Sequence, residues 1–227
     1  MLTAVAIVPS APVLVPELAG GAVAELDDLR AAMVAAAREL PARWLAIGAA
    51  DADAVIGAEA AGTFAGYGVD VPVRLGPRAG AEPAPLPLAA LITGWLRGLA
   101  APDAVARVRV FDRRTRCAAA LAAGRALRAE LDRDPEPVGV LVVADGAHTL
   151  TPAAPGGHDP ASVPVQRALA AALAAGDTAA LAELPDAIVG RVAYQVAAGL
   201  IGTPRVAEQR WHGAPYGVGY FCGVWRP

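Results

Sequence analysis

The sequence predicts an α/β protein whose mostly parallel, doubly wound sheet is flanked by helices. Short runs of valine, isoleucine and leucine alternate along the chain with longer alanine- and leucine-rich segments, which is the order of strands and helices in such sheets. Hydrophobic residues make up 56% of the 227 positions, enough to cover both faces of a sheet. Chains of this length commonly fold as one unit, and we expect a single domain over residues 1–227.

The first half of the chain alternates between strand and helix patterns. Residues 2–8 form a short apolar run that ends at a proline, which predicts a buried strand. Residues 22–40 place leucine and methionine on one stripe at helical spacing, which predicts a helix. Residues 44–47 and 69–75 predict two further strands, and the Pro-, Gly- and Ala-rich residues 76–87 predict a loop or crossover.

The next segments repeat this alternation. Residues 88–99 and 118–131 have helical patterns, and the β-branched run at 106–111 between them predicts a strand. Residues 138–143 form the most apolar of the predicted strands.

The pattern changes after this strand. Residues 151–161 are polar and proline-rich, which predicts a loop. Residues 163–175, 178–184 and 186–200 predict three helices. Residues 206–225 predict two strands joined around a Gly-Ala-Pro-Tyr-Gly segment.

Charge and composition argue against several classes of function. A net charge of −3 and a pI of about 5.6 provide no basic face for nucleic acid, so we expect no such partner. No segment reaches the ~18 uninterrupted apolar residues of a membrane span, so we expect no membrane association. Cys117 and Cys222 form no metal or disulfide pattern, which favours a reduced, cytoplasmic location. The sequence does not exclude a homo-oligomer.

Most standard catalytic motifs are absent from the sequence. Without lysine the chain cannot contain a P-loop, and its glycines form no dinucleotide fingerprint. Its only serines, Ser10 and Ser162, lie outside a nucleophile-elbow motif. Arg113, Arg114 and Arg116 form a short basic cluster, which we interpret as a solvated helix face.

The most informative stretch is the end of the strand predicted at 138–143. It is followed by Asp145 and, three residues later, by His148. Ligands of open α/β sheets bind at the carboxyl ends of strands, and imidazole titrates near neutral pH. The pair can hold a metal, transfer a proton or only hydrogen-bond the loop. We take His148 and Asp145 as the catalytic candidates, and His158 in the following glycine-rich loop as a pocket-lining residue.

Four segments of the sequence are similar to one enzyme family. They comprise residues 7–17 at the first strand, residues 143–150 around the Asp–His pair, residues 151–160 of the following loop, and residues 214–221 near the end. In these segments the chain resembles a divergent bacterial member of the class III extradiol ring-cleavage dioxygenase (LigB-like) family. The resemblance covers nearly the whole chain and implies the LigB-like dioxygenase fold, with a pocket at the carboxyl ends of the strands.

The resemblance also implies roles for individual residues. The family holds iron(II) with two histidines and a glutamate, which leaves open positions for a catechol and O₂. A further histidine acts as acid–base, and by position it is His148. The first metal histidine falls at Ser10 and the second at Asp51, while Glu208 is the nearest candidate for the glutamate.

These replacements weaken the implied metal site. A neutral Ser10 is a poor ligand, and a site built from Asp51 and Glu208, with Asp145 as a further candidate ligand, would be all oxygen, which favours Mg²⁺, Ca²⁺ or Mn²⁺ over iron. We therefore expect no cofactor, or iron(II) or another divalent metal if the protein is active.

Two functions follow from the sequence. We favour a protein that lacks the usual iron site and binds a small-molecule ligand or a partner through the pocket. The alternative is a metal-dependent extradiol dioxygenase or related enzyme, acting on a small aromatic or oxo-acid substrate with His148 as acid–base. The side chains expected to meet in the pocket are Ser10, Asp51, Asp145, His148 and His158, with Tyr216 as a further substrate-binding residue.

Overall fold

A computed structural model describes residues 1–80 and 82–227 of the chain. Residue 81, inside the loop predicted at 76–87, lies outside the described residues. The strands are β1 (Leu2–Val8), β2 (Arg43–Ala50), β3 (Ala54–Ile56), β4 (Ala61–Thr63), β5 (Pro72–Arg74), β6 (Val105–Asp112), β7 (Val138–Val143), β8 (Val206–Gly213) and β9 (Tyr220–Arg226). The helices are α1 (Pro16–Ala19), α2 (Asp27–Ala37), α3 (Leu88–Ala100), α4 (Cys117–Asp132), α5 (Ser162–Ala175), α6 (Thr178–Ala182) and α7 (Arg191–Ile201).

Seven of the strands form one sheet, in the order β3-β6-β2-β7-β1-β9-β8. The four central strands β6, β2, β7 and β1 are parallel. Strand β3 pairs antiparallel with β6 at one edge, and β9 and β8 add antiparallel strands beyond β1. The α/β class is therefore confirmed. The sheet is mixed rather than mostly parallel, because the end of the chain returns along β1 as an antiparallel pair of strands.

Strands β1, β2 and β7 contribute buried residues to hydrophobic cores on both faces of the sheet, and β6 contributes them to one core. In β1, Ala6 and Val8 point to one core while Val5 and Ile7 point to the other, and all four are buried. Helices α2 and α3 cover the first core, and α4, α5 and α7 cover the second. Burial on both faces explains why β1, β2 and β7 are continuous apolar runs, whereas β6 alternates because Arg107 and Arg109 lie on its more exposed face. Among the described residues, no helix combines the length and the apolar character needed to cross a membrane.

Helices α4 and α7 pack at very short range. A Cβ atom on Gly124 of α4 would overlap the backbone carbonyl of Val196, and one on Gly199 of α7 would overlap that of Leu121. The two glycines therefore let the helix backbones touch across the second core.

Two predictions for the first half need correction. Residues 69–75 do not join the main sheet, since β5 pairs with β4 in a separate two-stranded sheet. The helix predicted at 22–40 begins only at Asp27, after short 3₁₀ turns, and ends at Ala37. Strand β3, at the sheet edge, was not predicted, because three residues carry too short a pattern.

The helix predicted at 186–200 also begins later, at Arg191. Ile188 instead forms an isolated antiparallel bridge with Ala147, just beyond the end of β7. Tertiary pairing has overridden helix propensity here. As a result, residues 186–190 lie beside the Asp145–His148 segment.

Candidate functional site

The candidate site lies at the carboxyl edge of the four parallel strands. From β1 the chain continues to α2 on one face of the sheet, whereas from the adjacent β7 it continues to α5 on the other. Where neighbouring strands send their connections to opposite faces, a crevice opens at the strand ends. Ser10 follows β1 and Asp145 follows β7, so both lie in this crevice.

The crevice has two lobes. The polar lobe has a volume of about 850 Å³, and its charged side chains besides Asp145 and His148 are Asp51, Arg113, Arg114, Asp186 and Arg191. The apolar lobe has a volume of about 510 Å³ and is lined by Ala11, Pro12, Val13, Ala153, Pro155, Tyr216, Val218 and Tyr220. Four residues line both lobes: Ser10, Asp145, His148 and Val189. A small molecule bound in either lobe would therefore meet the Asp–His pair.

Asp145 is a buried carboxyl group at the junction of the lobes, with 9% of its surface exposed. Its Oδ1 accepts a hydrogen bond from the backbone N–H of Ser10, at 2.7 Å. Burial raises the pKa of Asp145 from 3.8 to about 7, although this hydrogen bond acts in the opposite direction. The site thus contains a carboxyl group that changes its charge near neutral pH.

Two buried tyrosines lie close to this carboxyl group. The Tyr194 hydroxyl donates a hydrogen bond to the Ala144 carbonyl, at 2.9 Å. The pKa of both Tyr194 and Tyr220 is raised, mainly by burial and in addition by the charge of Asp145. Both phenols therefore stay neutral at physiological pH.

The segment that carries the Asp–His pair is held by a side-chain clamp. Gln166 of α5 accepts a hydrogen bond from the Ala147 N–H, at 2.9 Å. A Cβ atom on Gly146 or Gly219 would overlap the Gln166 amide, so the two glycines leave room for this side chain. Gln166 is thus a positioning residue that fixes the backbone between Asp145 and His148.

We predict that Gln166→Ala lowers the free energy of unfolding by about 1–2 kcal/mol, because the buried Ala147 N–H loses its acceptor. Urea denaturation followed by circular dichroism measures the change. Gln209→Ala is the matched control, since the Gln209 side chain is exposed and hydrogen-bonds to His212 on the same strand, β8. Equal effects of the two substitutions would contradict the clamp.

His148 is exposed but has a defined environment. Its ring lies against Gly156, where a Cβ atom would overlap the imidazole. The Gly156 N–H in turn donates a hydrogen bond to the His148 carbonyl, at 3.0 Å. The loop after β7 therefore folds back on the histidine and presents its ring to both lobes.

Two other residues predicted for the site also reach the crevice. Asp51 follows β2 in the polar lobe, where it is exposed and forms an ion pair with Arg113 at 3.1 Å. Tyr216 lines the apolar lobe, and its hydroxyl donates a hydrogen bond to Glu25 at 2.8 Å. The structure thus brings Ser10, Asp51, Asp145, His148 and Tyr216 to one crevice.

The remaining two predicted residues do not reach it. His158 is exposed on the loop after β7 and lines neither lobe. Glu208 lies on the edge strand β8, opposite Val224 of β9, where it forms ion pairs with Arg210 and Arg226. Because β8 lies beyond β9, Glu208 is placed along the side of the sheet rather than at the carboxyl ends of its parallel strands.

The residues in the crevice do not fit the iron site that the family resemblance implies. Ser10 offers a neutral hydroxyl, Asp51 is ion-paired with Arg113, and Glu208 is elsewhere. Within residues 1–80 and 82–227, no three His, Cys, Asp or Glu side chains are grouped so as to hold a metal ion.

Several crevice residues were not predicted from the sequence. Arg113 and Arg114 line the polar lobe, although we interpreted them as part of a solvated face. They follow the carboxyl end of β6, so the rule that identified Asp145 would have found them. No sequence pattern identified Val189 and Arg191 as site residues, because both lay within the helix predicted at 186–200.

Comparisons with known proteins support the fold. No family model matches the chain, and no curated protein does. Among solved structures, an uncharacterised protein from Escherichia coli K12 is similar, with a TM-score of 0.58 and 12% identity. The match covers 99% of this chain and 100% of that one. At this identity the likeness shows a shared fold alone.

Proposed function

We propose that this protein is a divergent LigB-like protein that binds a small-molecule ligand in the two-lobed crevice and lacks the family's usual iron site. The observation that carries this proposal is the convergence of Ser10, Asp145 and His148 on the wall shared by both lobes. By the family resemblance, Ser10 and Asp51 replace two metal-binding histidines, which favours ligand binding over iron–oxygen chemistry.

The polar and apolar lobes together suit a small ligand with a polar end and an apolar end. The apolar lobe presents proline, valine and tyrosine side chains, whereas the polar lobe presents arginines and aspartates. Pockets of this size, with a few convergent polar groups, are typical of small-molecule sites.

A second candidate function is an enzyme that uses His148 as acid–base on a small aromatic or oxo-acid substrate. It is favoured by the position of His148 on the same wall as Asp145, a carboxyl group with a pKa of about 7. The dioxygenase form of this function also requires a divalent metal, which the present donor set does not fit.

We predict that a compound in a small-molecule thermal-shift screen stabilises the wild-type protein, by about 2.7 kcal/mol at a concentration 100-fold above its Kd. Val189→Trp should abolish this shift, since Val189 lines both lobes. Val55→Trp is the matched control, because Val55 is 68% exposed on the edge strand β3 and should leave the shift unchanged. A screen without a hit, or equal loss in both variants, would refute ligand binding in the crevice.

A second measurement separates the two functions. We expect purified protein to contain no stoichiometric metal and to consume no O₂ with a panel of catechols after anaerobic loading with iron(II). Stoichiometric iron together with ring cleavage that His148→Ala abolishes would establish the enzyme instead.

A further inference from the structure

Tyr216 has a backbone conformation that is unusual for a residue with a side chain. It lies in the turn between β8 and β9 with φ 59° and ψ 19°, which is the left-handed region. Among the described residues, it is the only one besides glycines with a positive φ. A tyrosine is strained there because its Cβ crowds the backbone, whereas a glycine would not be. Strain of this kind is concentrated at binding and switch sites, so the Tyr216 side chain is a candidate for a functional role.

The backbone next to Tyr216 is fixed against the loop that follows β7. The Gly217 carbonyl accepts a hydrogen bond from the Leu150 N–H, at 3.1 Å. Gly217 also lies so close to this loop that a Cβ atom on it would overlap Thr151 and Ala154. The turn therefore has little room to relax, and its backbone sets the direction in which the Tyr216 side chain leaves the chain.

The Tyr216 side chain connects two parts of the wall of the apolar lobe. Tyr216 lines the lobe yet is 38% exposed, so it lies at the rim between the lobe and solvent. Its hydroxyl donates a hydrogen bond to Glu25, at 2.8 Å. Glu25 belongs to the connection between β1 and α2, whose residues 11–13 also line the lobe. Among the described residues, this is the only hydrogen bond between residues 11–26 and the turn.

Arg30 of α2 holds the Glu25 side of this contact in place. Its buried guanidinium donates hydrogen bonds to the Leu14 carbonyl at 2.8 Å and to the Val23 carbonyl at 2.6 Å. Leu14 is itself fully buried in the first core. The connection is therefore anchored independently of Tyr216, so the Tyr216 side chain is the part that can move when its hydrogen bond breaks.

We propose that Tyr216 is a gate of the apolar lobe, which is latched shut by its hydrogen bond to Glu25 and opens by rotation of its side chain when that bond breaks. The proposal rests on the proposed ligand-binding function and concerns how a ligand reaches the lobe. The structure has the latched, closed state. In the open state the phenol turns towards solvent and leaves the rim free.

A gate of this kind changes the rates of binding rather than the affinity. A ligand enters or leaves the lobe only in the open state, and the latch favours the closed state equally with and without ligand. Removing the latch therefore raises the association and dissociation rate constants by the same factor and leaves Kd unchanged. Loss of a direct contact with the ligand would instead raise mainly the dissociation rate constant.

The test uses anilinonaphthalene sulfonate (ANS) as the probe, because its fluorescence rises in apolar surroundings. Stopped-flow fluorescence gives its association and dissociation rate constants. Tyr216→Phe keeps the ring and removes the hydroxyl, and we expect it to raise both rate constants about fivefold, which corresponds to about 1 kcal/mol for one hydrogen bond. Val13→Trp should abolish the signal, since Val13 lines the apolar lobe.

Two further variants separate the latch from a general effect of charge. Glu25→Ala removes the acceptor and should reproduce the effect of Tyr216→Phe, and the double variant should show no further increase, because both residues act through one hydrogen bond. Glu17→Ala is the matched control. Glu17 is an exposed carboxylate of the same connection, on α1, and its loss should leave both rate constants unchanged. Thermal unfolding of each variant shows that it is folded.

Four results would overturn the gate: rate constants that Tyr216→Phe leaves unchanged, an effect on the dissociation rate constant alone, additive effects in the double variant, or the lack of an ANS signal that Val13→Trp abolishes. If a screened compound still binds the wild type and Val189→Trp abolishes that binding, the ligand-binding function stands and only the gate fails. If neither ANS nor any screened compound binds, both fail.

Discussion

Asp145→Asn is expected to stabilise the protein at pH 8 by about 2–4 kcal/mol. The carboxyl group is buried, and its pKa of about 7 in the folded protein lies well above the 3.8 of an ordinary aspartate. This difference between the two pKa values corresponds to about 4 kcal/mol that the ionised carboxylate removes from stability. Asparagine has the same shape and keeps an oxygen for the Ser10 N–H, but it carries no charge.

The pH dependence of this effect has a definite sign. Between pH 4 and pH 7 the folded protein holds the Asp145 proton more tightly than the unfolded chain does, so stability decreases as pH rises through this range. Above pH 7 both states are ionised and the loss is complete. The difference between wild type and Asp145→Asn should therefore be near zero at pH 4 and grow to its full value by pH 8.

Urea denaturation of both proteins at half-unit steps from pH 4 to pH 8 measures this difference. The contributions of the other titrating groups are the same in both proteins, so they cancel when the two free energies of unfolding are subtracted. Asp51→Asn is the matched control, because Asp51 is exposed at the end of β2 and should show no comparable dependence. A pH-independent difference for Asp145→Asn would mean that the carboxyl group ionises normally. A buried acid without a compensating charge lowers the stability of the protein, and destabilising groups of this kind are expected at binding sites.

Gly124→Ala is expected to destabilise the protein by about 2–3 kcal/mol. The added Cβ would overlap the Val196 carbonyl of α7 and approach the Leu200 nitrogen at 2.8 Å. These are backbone atoms within a packed core, so the two helices must move apart, and overpacking of this kind is costly. The substitution lies at the contact between α4 and α7, two of the helices that cover the second core.

Gly98→Ala separates this packing effect from helix propensity. Gly98 lies in helix α3, is exposed, and has nothing within 4 Å of an added Cβ. Alanine there should stabilise the protein by about 0.5–1 kcal/mol, because glycine weakens a helix. Opposite signs for the two variants in urea denaturation are the expected outcome. If Gly124→Ala also stabilised, the close approach of α4 and α7 would be refuted.

Much of the central fold could be predicted from local patterns. Strands β1 and β7 are apolar runs that end at recognisable residues, and they are buried on both faces as their composition indicates. Helices α3 and α4 likewise follow their periodicity closely. Local patterns succeed here because one side-chain period is enough to identify a buried strand or an amphipathic helix.

The candidate site was predictable only in part. Asp145 and His148 were identifiable because they follow a buried strand whose carboxyl end lies at one edge of a parallel sheet, whereas Asp51 was identified only through the family resemblance. Glu208 was assigned by sequence position alone, and the antiparallel β8 carries it to the side of the sheet. Position along the chain does not report which strand lies next to which.

The sequence by itself determined the α/β class, the buried strands and the placement of an acid and a histidine after β7, since these depend on side-chain periodicity within short segments. Only the tertiary structure decided that residues 186–190 pair with Ala147, that two lobes meet at Asp145, and that no cation compensates this acid in the described chain. These properties depend on contacts between residues far apart in sequence, and burial, which sets the pKa of Asp145, exists only once those contacts form.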